Sequence, residues 1–238
     1  MNESNQDVPS PRPRTVGALY LLYFVVAFLG LFLLRGIVVP GNASATAGNI
    51  LAHETLLRAG IAVDLLGNVL YIALTACLYR LFGPVSWSVS LAAALVSVAG
   101  CSIQIFAEIF RVAPLVLLTS ASLAGTFSAG ELQALATLSL TLHTQTFHLS
   151  LALFGVYDVL LGSLVFRSSY VPRPIGVLLI CAGVGWLLFL WPPLAMSLSV
   201  AILPLGALAE IVLMLWLLWR GVDVPKWQLA SRSARPFR

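Results

Sequence analysis

The residues of this sequence most able to do chemistry are ionisable side chains inside long apolar runs. Residues 138–168 carry His143, His148 and Asp158 among otherwise lipid-soluble residues, although the whole chain has only three histidines. Imidazoles can bind metals or transfer protons, and a carboxylate inside a membrane usually faces a cavity or the protein interior. This segment is therefore a candidate for metal binding, proton transfer or ligand recognition.

The spacing of the two histidines argues against a metal motif on one helix. His143 and His148 are five residues apart, so their side chains diverge by about 140° around a helix. Zinc-binding pairs on helices are spaced three or four residues apart. A metal site would need one of them together with Asp64 or Glu108 from other segments. The alternatives are that His143 handles protons or hydrogen bonds, and that His148 links two helices.

A second polar group lies on the third long apolar run. Gln104, Glu108 and Arg111 are spaced four and three residues apart, which places them on one helix face. One interpretation is an ion pair between Glu108 and Arg111 within the helix. The other is an anion- or carboxylate-binding lip that Arg111 shares with Arg35 and Arg58, since arginine recognises carboxylates with two parallel hydrogen bonds.

The composition requires that membrane helices position these groups. The 238 residues are 60% hydrophobic and 9% charged, and the mean hydropathy is +0.98, whereas soluble domains carry about 25% charged residues. Within lipid only helices or a closed barrel satisfy the backbone, and continuous apolar runs of about 20 residues indicate helices. The isoelectric point near 9.3 comes from charges beside the spans, so no nucleic-acid binding is expected.

We expect an all-α membrane protein, a bundle of six transmembrane helices. The transmembrane domain covers residues 15–221, with spans predicted at about residues 16–34, 56–81, 87–113, 132–166, 175–191 and 198–219. Residues 1–14 are polar and rich in proline, which predicts a disordered tail. Residues 222–238 form a basic C-terminal tail.

The distribution of positive charges predicts the orientation, because cytoplasmic loops are enriched in Lys and Arg. With alternating spans, one side of the membrane carries ten of the thirteen Lys and Arg residues, and the other carries only Arg35, Arg58 and Arg111. The richer side is predicted to be cytoplasmic, so both termini, including both tails, lie inside the cell.

The first outer loop is the longest connection and has its own helix signals. Pro40 and Gly41 indicate a turn, and either Asn42 or Ser44 can cap the helix that follows. We predict a short interfacial helix over about residues 45–52.

This loop and the next span resemble a known family. Residues 35–66, RGIVVPGNASATAGNILAHETLLRAGIAVDLL, are similar to the signature of a bacterial family of six-helix membrane proteins known only as domain of unknown function 4386. The resemblance covers about residues 15–221. Its matching positions are Arg35, Gly36, Pro40, Gly41, Ala45, Thr46, Asn49, Ile50, Glu54, Leu56, Arg58, Gly60, Asp64 and Leu65, then Leu142, His143, Phe154, Gly155, Leu161, Gly162, Phe166, Arg167, Ser168, Tyr170, Pro172, Arg173, Gly176, Gly183, Glu210 and Trp216. It implies the six-helix fold in a bacterial inner membrane and implies no activity.

Counting 1.5 Å per residue from the cytoplasmic helix ends sorts the polar groups into two layers. Asp158 and Glu210 come out about 14 Å and about 15 Å deep, near the membrane midplane with Asn68. These carboxyls either share a proton or fix helix packing as neutral groups. The outer layer comprises Arg35, Arg58, Asp64, Glu108, Arg111 and His143, with His148 at its lower edge.

The function predicted from these layers is recognition rather than catalysis. We expect an integral membrane protein that binds a small or lipid-like ligand in an outward-facing polar cavity, as a sensor or transporter would. One alternative is an intramembrane metal-dependent hydrolase using His143, Asp64 and Glu108, and another is a structural or assembly partner. No nucleotide, flavin or zinc-protease motif is present, so we expect no cofactor and no resident metal. The bilayer and the ligand are the expected partners, and the sequence leaves the oligomeric state open.

Overall fold

The computed structural model describes residues 12–234, and all regular secondary structure within this range is helical. The helices are α1 (Pro13–Leu34), α2 (Ala43–Ala52), α3 (Glu54–Phe82), α4 (Trp87–Thr119), α5 (Ala121–Ala124), α6 (Ala129–Arg167), α7 (Arg173–Leu187), α8 (Pro192–Trp219) and α9 (Val224–Ser233), with a short 3₁₀ turn at Leu188–Leu190. The predicted disordered tail falls mainly on residues 1–11, which lie outside the described range.

Six helices are long and apolar enough to cross a membrane, which confirms the predicted number of spans. They are α1, α3, α4, α6, α8, and α7 with its 3₁₀ turn. Two prolines account for differences between the predicted and observed helix ends. The span predicted to end near residue 113 continues to Thr119, with Pro114 inside α4, as membrane helices tolerate when neighbouring groups satisfy the freed carbonyl. Pro192 opens α8 six residues before the predicted start at 198, because proline fits the first turn of a helix.

The chain divides into two compact units, which are described separately. The first unit comprises Met1–Leu21, Ala73–Val98 and Ala152–Arg238, and the second comprises Leu22–Ile72 and Ala99–Leu151. The helices α1, α3, α4 and α6 each contribute a segment to both units.

The second unit is built around the loop that precedes α2. Gly36 and Gly41 adopt φ values of 83° and 74°, a left-handed conformation that glycine adopts without steric cost. The Asn42 side chain accepts a hydrogen bond of 2.9 Å from the backbone N–H of Ala45, which confirms both the predicted helix and one of its two predicted caps. The Thr46 hydroxyl oxygen accepts from the Val39 backbone N–H at 3.0 Å and so ties the loop to α2.

A compact apolar core lies beneath this loop. Ile37, Ile50, Leu57, Ile61 and Leu115 are buried against one another, so α2 and the loop rest on α3 and α4. At the start of α6 the Ser128 and Glu131 side chains each accept from the other's backbone N–H, at 3.3 Å and 2.7 Å. This capping box explains why α6 begins before the predicted span.

In the first unit, α6 and α7 approach closely through glycines. A Cβ atom added to Gly155 would lie 2.8 Å from the Gly183 carbonyl oxygen, and one added to Gly162 would lie 2.7 Å from that of Gly176. Small residues at such positions let two membrane helices pack backbone to backbone.

Within the C-terminal basic segment, Val224–Ser233 form the helix α9, which packs inside the first unit. Trp227 is buried, and its indole N–H donates to the Leu81 carbonyl at 2.9 Å. The buried Tyr170 hydroxyl donates to the same oxygen at 2.9 Å, and burial raises the pKa of this hydroxyl, which keeps it a donor. Both partners satisfy a carbonyl in the last turn of α3, where no intrahelical donor remains.

Candidate functional site

Four ionisable side chains from three helices form a polar cluster in the second unit. Arg111 of α4 contacts Asp64 of α3 through its Nη1 atom, and the same atom lies 3.1 Å from Glu108 Oε2. On the other side, His143 Nε2 of α6 lies 3.3 Å from Glu108 Oε1. The ion pair between Glu108 and Arg111 that their spacing predicts is therefore present, and α3 and α6 each add one further group.

The cluster is largely removed from solvent. Glu108 and His143 are 7% and 9% exposed as residues, and the side chains of Arg111 and Asp64 are 16% and 24% exposed. A Cβ atom added to Gly30 of α1 would collide with Asp64 Oδ1, so Gly30 makes the space for this carboxylate. Gly30 was not predicted as a site residue, because in the sequence it is only one small residue in an apolar span.

The charges within the cluster do not cancel. With both carboxyls ionised and His143 neutral, two carboxylates face one guanidinium and the cluster carries a net charge of −1. Buried charges are tolerated only when they are paired and hydrogen-bonded. One additional positive charge would therefore stabilise the cluster, and a proton can supply it.

Arg35 and Arg58, which the sequence analysis placed in the same layer, do not join this cluster. Both residues are exposed. Arg58 pairs instead with Glu54, four residues earlier on α3, at 2.8 Å. Exposed pairs of this kind contribute little to stability.

A cavity of about 440 Å³ opens beside the cluster within the second unit. Arg111 and His143 line it, whereas Asp64 and Glu108 do not. Its remaining wall combines threonines with aliphatic residues: Leu34, Ile37, Val38, Val39, Pro40, Gly41, Thr46, Ile50, Leu57, Thr137, Leu140, Thr141 and Thr144. The volume lies within the range of about 300–1,000 Å³ that is typical of small-molecule sites.

A separate pair of carboxyl groups lies in the first unit. Asp158 of α6 is 1% exposed, and Glu210 of α8 is close enough to repel it electrostatically. The indole of Trp186 approaches Asp158, but neither Asp158 oxygen makes a hydrogen bond of ordinary geometry within residues 12–234. The two carboxyls that depth counting grouped together are thus neighbours. Asn68, predicted at a similar depth, belongs to the second unit, where it donates to the Asp64 carbonyl at 3.0 Å.

The family model for a domain of unknown function, DUF4386, matches residues 15–221. The chain belongs to this family. No curated protein and no solved structure matches the chain.

The match to DUF4386 includes every residue of the polar cluster and both carboxyls of the first unit. The family name carries no activity, so the functional argument rests on the geometry of these groups. The family match agrees with the resemblance seen in the first loop, and both cover about residues 15–221.

The cluster of this DUF4386 member is poorly arranged for a metal. Within the described range no group of three His, Cys, Asp or Glu side chains could hold a metal ion. The guanidinium of Arg111 occupies the position between Asp64 and Glu108 that a cation would need. His148 is half-buried on α6 and is not among the residues that line the cavity.

Proposed function

We propose that this protein binds a small or lipid-like ligand in the cavity of its second unit, as a membrane sensor or transporter does. One observation carries the proposal, namely that Arg111 and His143 line a cavity whose other walls are mainly aliphatic. Small-molecule sites combine an apolar lining with a few converging polar groups in this way. The cluster beside the cavity is not neutral, so a bound ligand or a proton would change its net charge.

We further propose that the cavity faces the outside of a bacterial inner membrane, with both chain termini in the cytoplasm. The support is the ten Lys and Arg residues assigned to one side against three on the other. Arg111 is one of the three and lines the cavity.

The test is a thermal-shift measurement on the full chain in maltoside detergent. Three probes with eight carbon atoms each, octanoate, octanamide and octylamine, replace the unidentified ligand. We expect at least one of them to raise the melting temperature. Thr137→Phe, which fills the cavity wall, should abolish the shift.

Thr146→Phe is the matched control for this experiment. Thr137 and Thr146 both lie half-buried on α6 and donate to the carbonyl four residues earlier, at 2.9 Å and 2.8 Å. Only Thr137 lines the cavity. If no probe shifts the melting temperature, or if Thr137→Phe responds like wild type, the cavity is not a binding site.

The structural or assembly role predicts a different result. In that case the polar cluster would affect stability alone, and substitutions in it would lower the melting temperature equally with and without each probe. A ligand-dependent difference between Thr137→Phe and Thr146→Phe excludes that role for the cavity.

A further inference from the structure

Two ionisable side chains, Arg111 and His143, line the cavity. The closest carboxylate contacts of Arg111, to Asp64 and to Glu108, both use its Nη1 atom. His143 uses Nε2 toward Glu108, so its Nδ1 is an acceptor in the neutral ring and a donor only in the doubly protonated ring. Their acidic partners, Asp64 and Glu108, do not line the cavity. A ligand group that enters therefore meets the donors of Arg111, and meets a donor on His143 once that ring is protonated.

The threonines of the wall add little donor capacity. The hydroxyls of Thr137, Thr141 and Thr144 donate to the carbonyls four residues earlier on α6, at 2.9, 3.0 and 3.1 Å. The Thr46 hydroxyl is directed to the Asn42 carbonyl at 2.9 Å. Arg111 and His143 are therefore the side chains best placed to bind an acceptor group, and a carboxylate is the acceptor that guanidinium groups match best.

The charge of the cluster opposes such an anion unless a proton enters with it. A carboxylate bound to Arg111 would make three carboxylates around one guanidinium in a poorly solvated site. One proton on His143 restores the charge that the cluster has when empty. A doubly protonated imidazole also donates from both ring nitrogens, so that Nε2 bonds Glu108 while Nδ1 is free to bond the ligand.

Arg111 is already charged, so His143 is the base of the cluster that can take up a proton. The charged groups around it are Glu108 and Arg111 on α4 and Asp64 on α3. On α1 and α2, Arg35 and His53 are exposed, and the His53 ring bonds the Asn49 carbonyl at 3.0 Å.

We propose that the cavity binds an amphiphilic monocarboxylate together with one proton from solvent. Arg111 and His143 hold the carboxylate, and the aliphatic wall that includes Leu34, Ile50 and Leu57 holds the tail. This inference rests on the proposed function, since it names the chemical class of the ligand that the same cavity takes.

The experiment is calorimetric titration of the purified full chain with octanoate between pH 6 and pH 8. At each pH, two buffers of different ionisation enthalpy are used, so that the difference in heat counts the protons taken up. We expect uptake of one proton per octanoate. Where uptake is complete, affinity should fall about tenfold for each unit of pH rise. Octanamide should bind without proton uptake, and octylamine should bind more weakly than either.

Two variants separate this inference from simple loss of folding. Glu108→Gln removes one negative charge, so it should bind octanoate at pH 8 more tightly than wild type and without proton uptake. A misfolded protein cannot show this gain. Arg58→Gln, which changes an exposed arginine outside the cavity, should titrate like wild type.

Each result decides between the two proposals. Octanoate binding without proton uptake, or tighter binding of octylamine than of octanoate, overturns the carboxylate–proton inference and leaves the proposed binding function standing. Failure of all three probes to bind overturns both.

Discussion

At the scale of single residues, Arg111 is the group on which the polar cluster depends. It is the only Lys or Arg in contact with Asp64 and Glu108 among the ion pairs of the described residues. Removing one partner of a buried ion pair leaves an uncompensated charge, and this costs more than the pair itself contributes. Arg111 should therefore dominate the stability of the second unit.

We expect Arg111→Gln to lower the free energy of unfolding by about 3–5 kcal/mol, because two carboxylates would lose their counter-charge. Adding Asp64→Asn to this variant should recover part of the loss. The measurement is SDS titration in mixed micelles. Arg58→Gln is the control, since its exposed pair is worth about 0.2–1 kcal/mol. A loss for Arg111→Gln no larger than the control contradicts the role of Arg111.

Substituting Asp158 or Glu210 should not destabilise the protein, in contrast to Arg111→Gln. Asp158 is buried beside Glu210 without a hydrogen bond of ordinary geometry among the described residues. Two adjacent buried carboxyls either repel each other or must hold a proton at pH 8, and an amide does neither, so we expect Asp158→Asn and Glu210→Gln each to be at least as stable as wild type. Their double variant should deviate from additivity by about 0.5–3 kcal/mol, as coupled neighbours do. Additive effects in the same SDS titration would show that the two groups do not interact.

Part of this site was predictable from the sequence and part was not. The pair Glu108–Arg111 follows from a spacing of three residues on one helix. The participation of Asp64 and His143 depends on which helices pack together, which local spacing does not encode. Depth along a straight helix placed Arg35 and Arg58 at the same level as Arg111. Depth alone does not give the direction in which each side chain points, and Arg35 and Arg58 are both exposed in the structure.

At the scale of elements, the helices follow from local signals, whereas their long-range contacts do not. The cap Asn42 and the turn at Gly41 predicted α2 correctly. The segment after residue 222 was expected only as a basic tail, yet Asp223 caps a helix there and Trp227 packs against the end of α3. A ten-residue helix with few apolar residues gives a weak periodic signal, and in isolation it is marginal. Its order therefore depends on its tertiary contacts and its cap.

The cap of α9 should make this helix sensitive to acid. Hydrogen bonds from the Lys226 side chain and backbone hold the pKa of Asp223 below its usual value of 3.8. Because the pKa is lowered on folding, the stabilisation is present above pH 3.8 and is lost as the pH falls through the folded value. We expect protection from hydrogen exchange over residues 224–233 to decrease below about pH 4 relative to intrinsic rates.

Asp223→Asn is the matched variant, since asparagine also caps helices and does not titrate. Its protection over the same residues should be independent of pH in this range. Equal acid sensitivity in wild type and Asp223→Asn would mean that another group releases α9.

At the scale of the whole molecule, composition was sufficient to predict the all-helical class and the six candidate spans. The lipid solvent leaves few alternatives to a chain this apolar. The division into two units was not predictable, because each of four long helices contributes to both and no linker marks a boundary. The polar cluster belongs to one unit and the carboxyl pair to the other, so the two sites can be altered independently.

The proposed topology places Arg58 outside the cell and Lys226 inside, and both residues are exposed. The test uses Arg58→Cys and Lys226→Cys in a chain whose Cys77, Cys101 and Cys181 are replaced by serine. In intact cells a membrane-impermeant maleimide should label only the cysteine at position 58. Permeabilised cells should show labelling at both positions, which controls for access. Labelling of position 226 alone in intact cells would invert the topology, and the cavity lined by Arg111 would then open toward the cytoplasm.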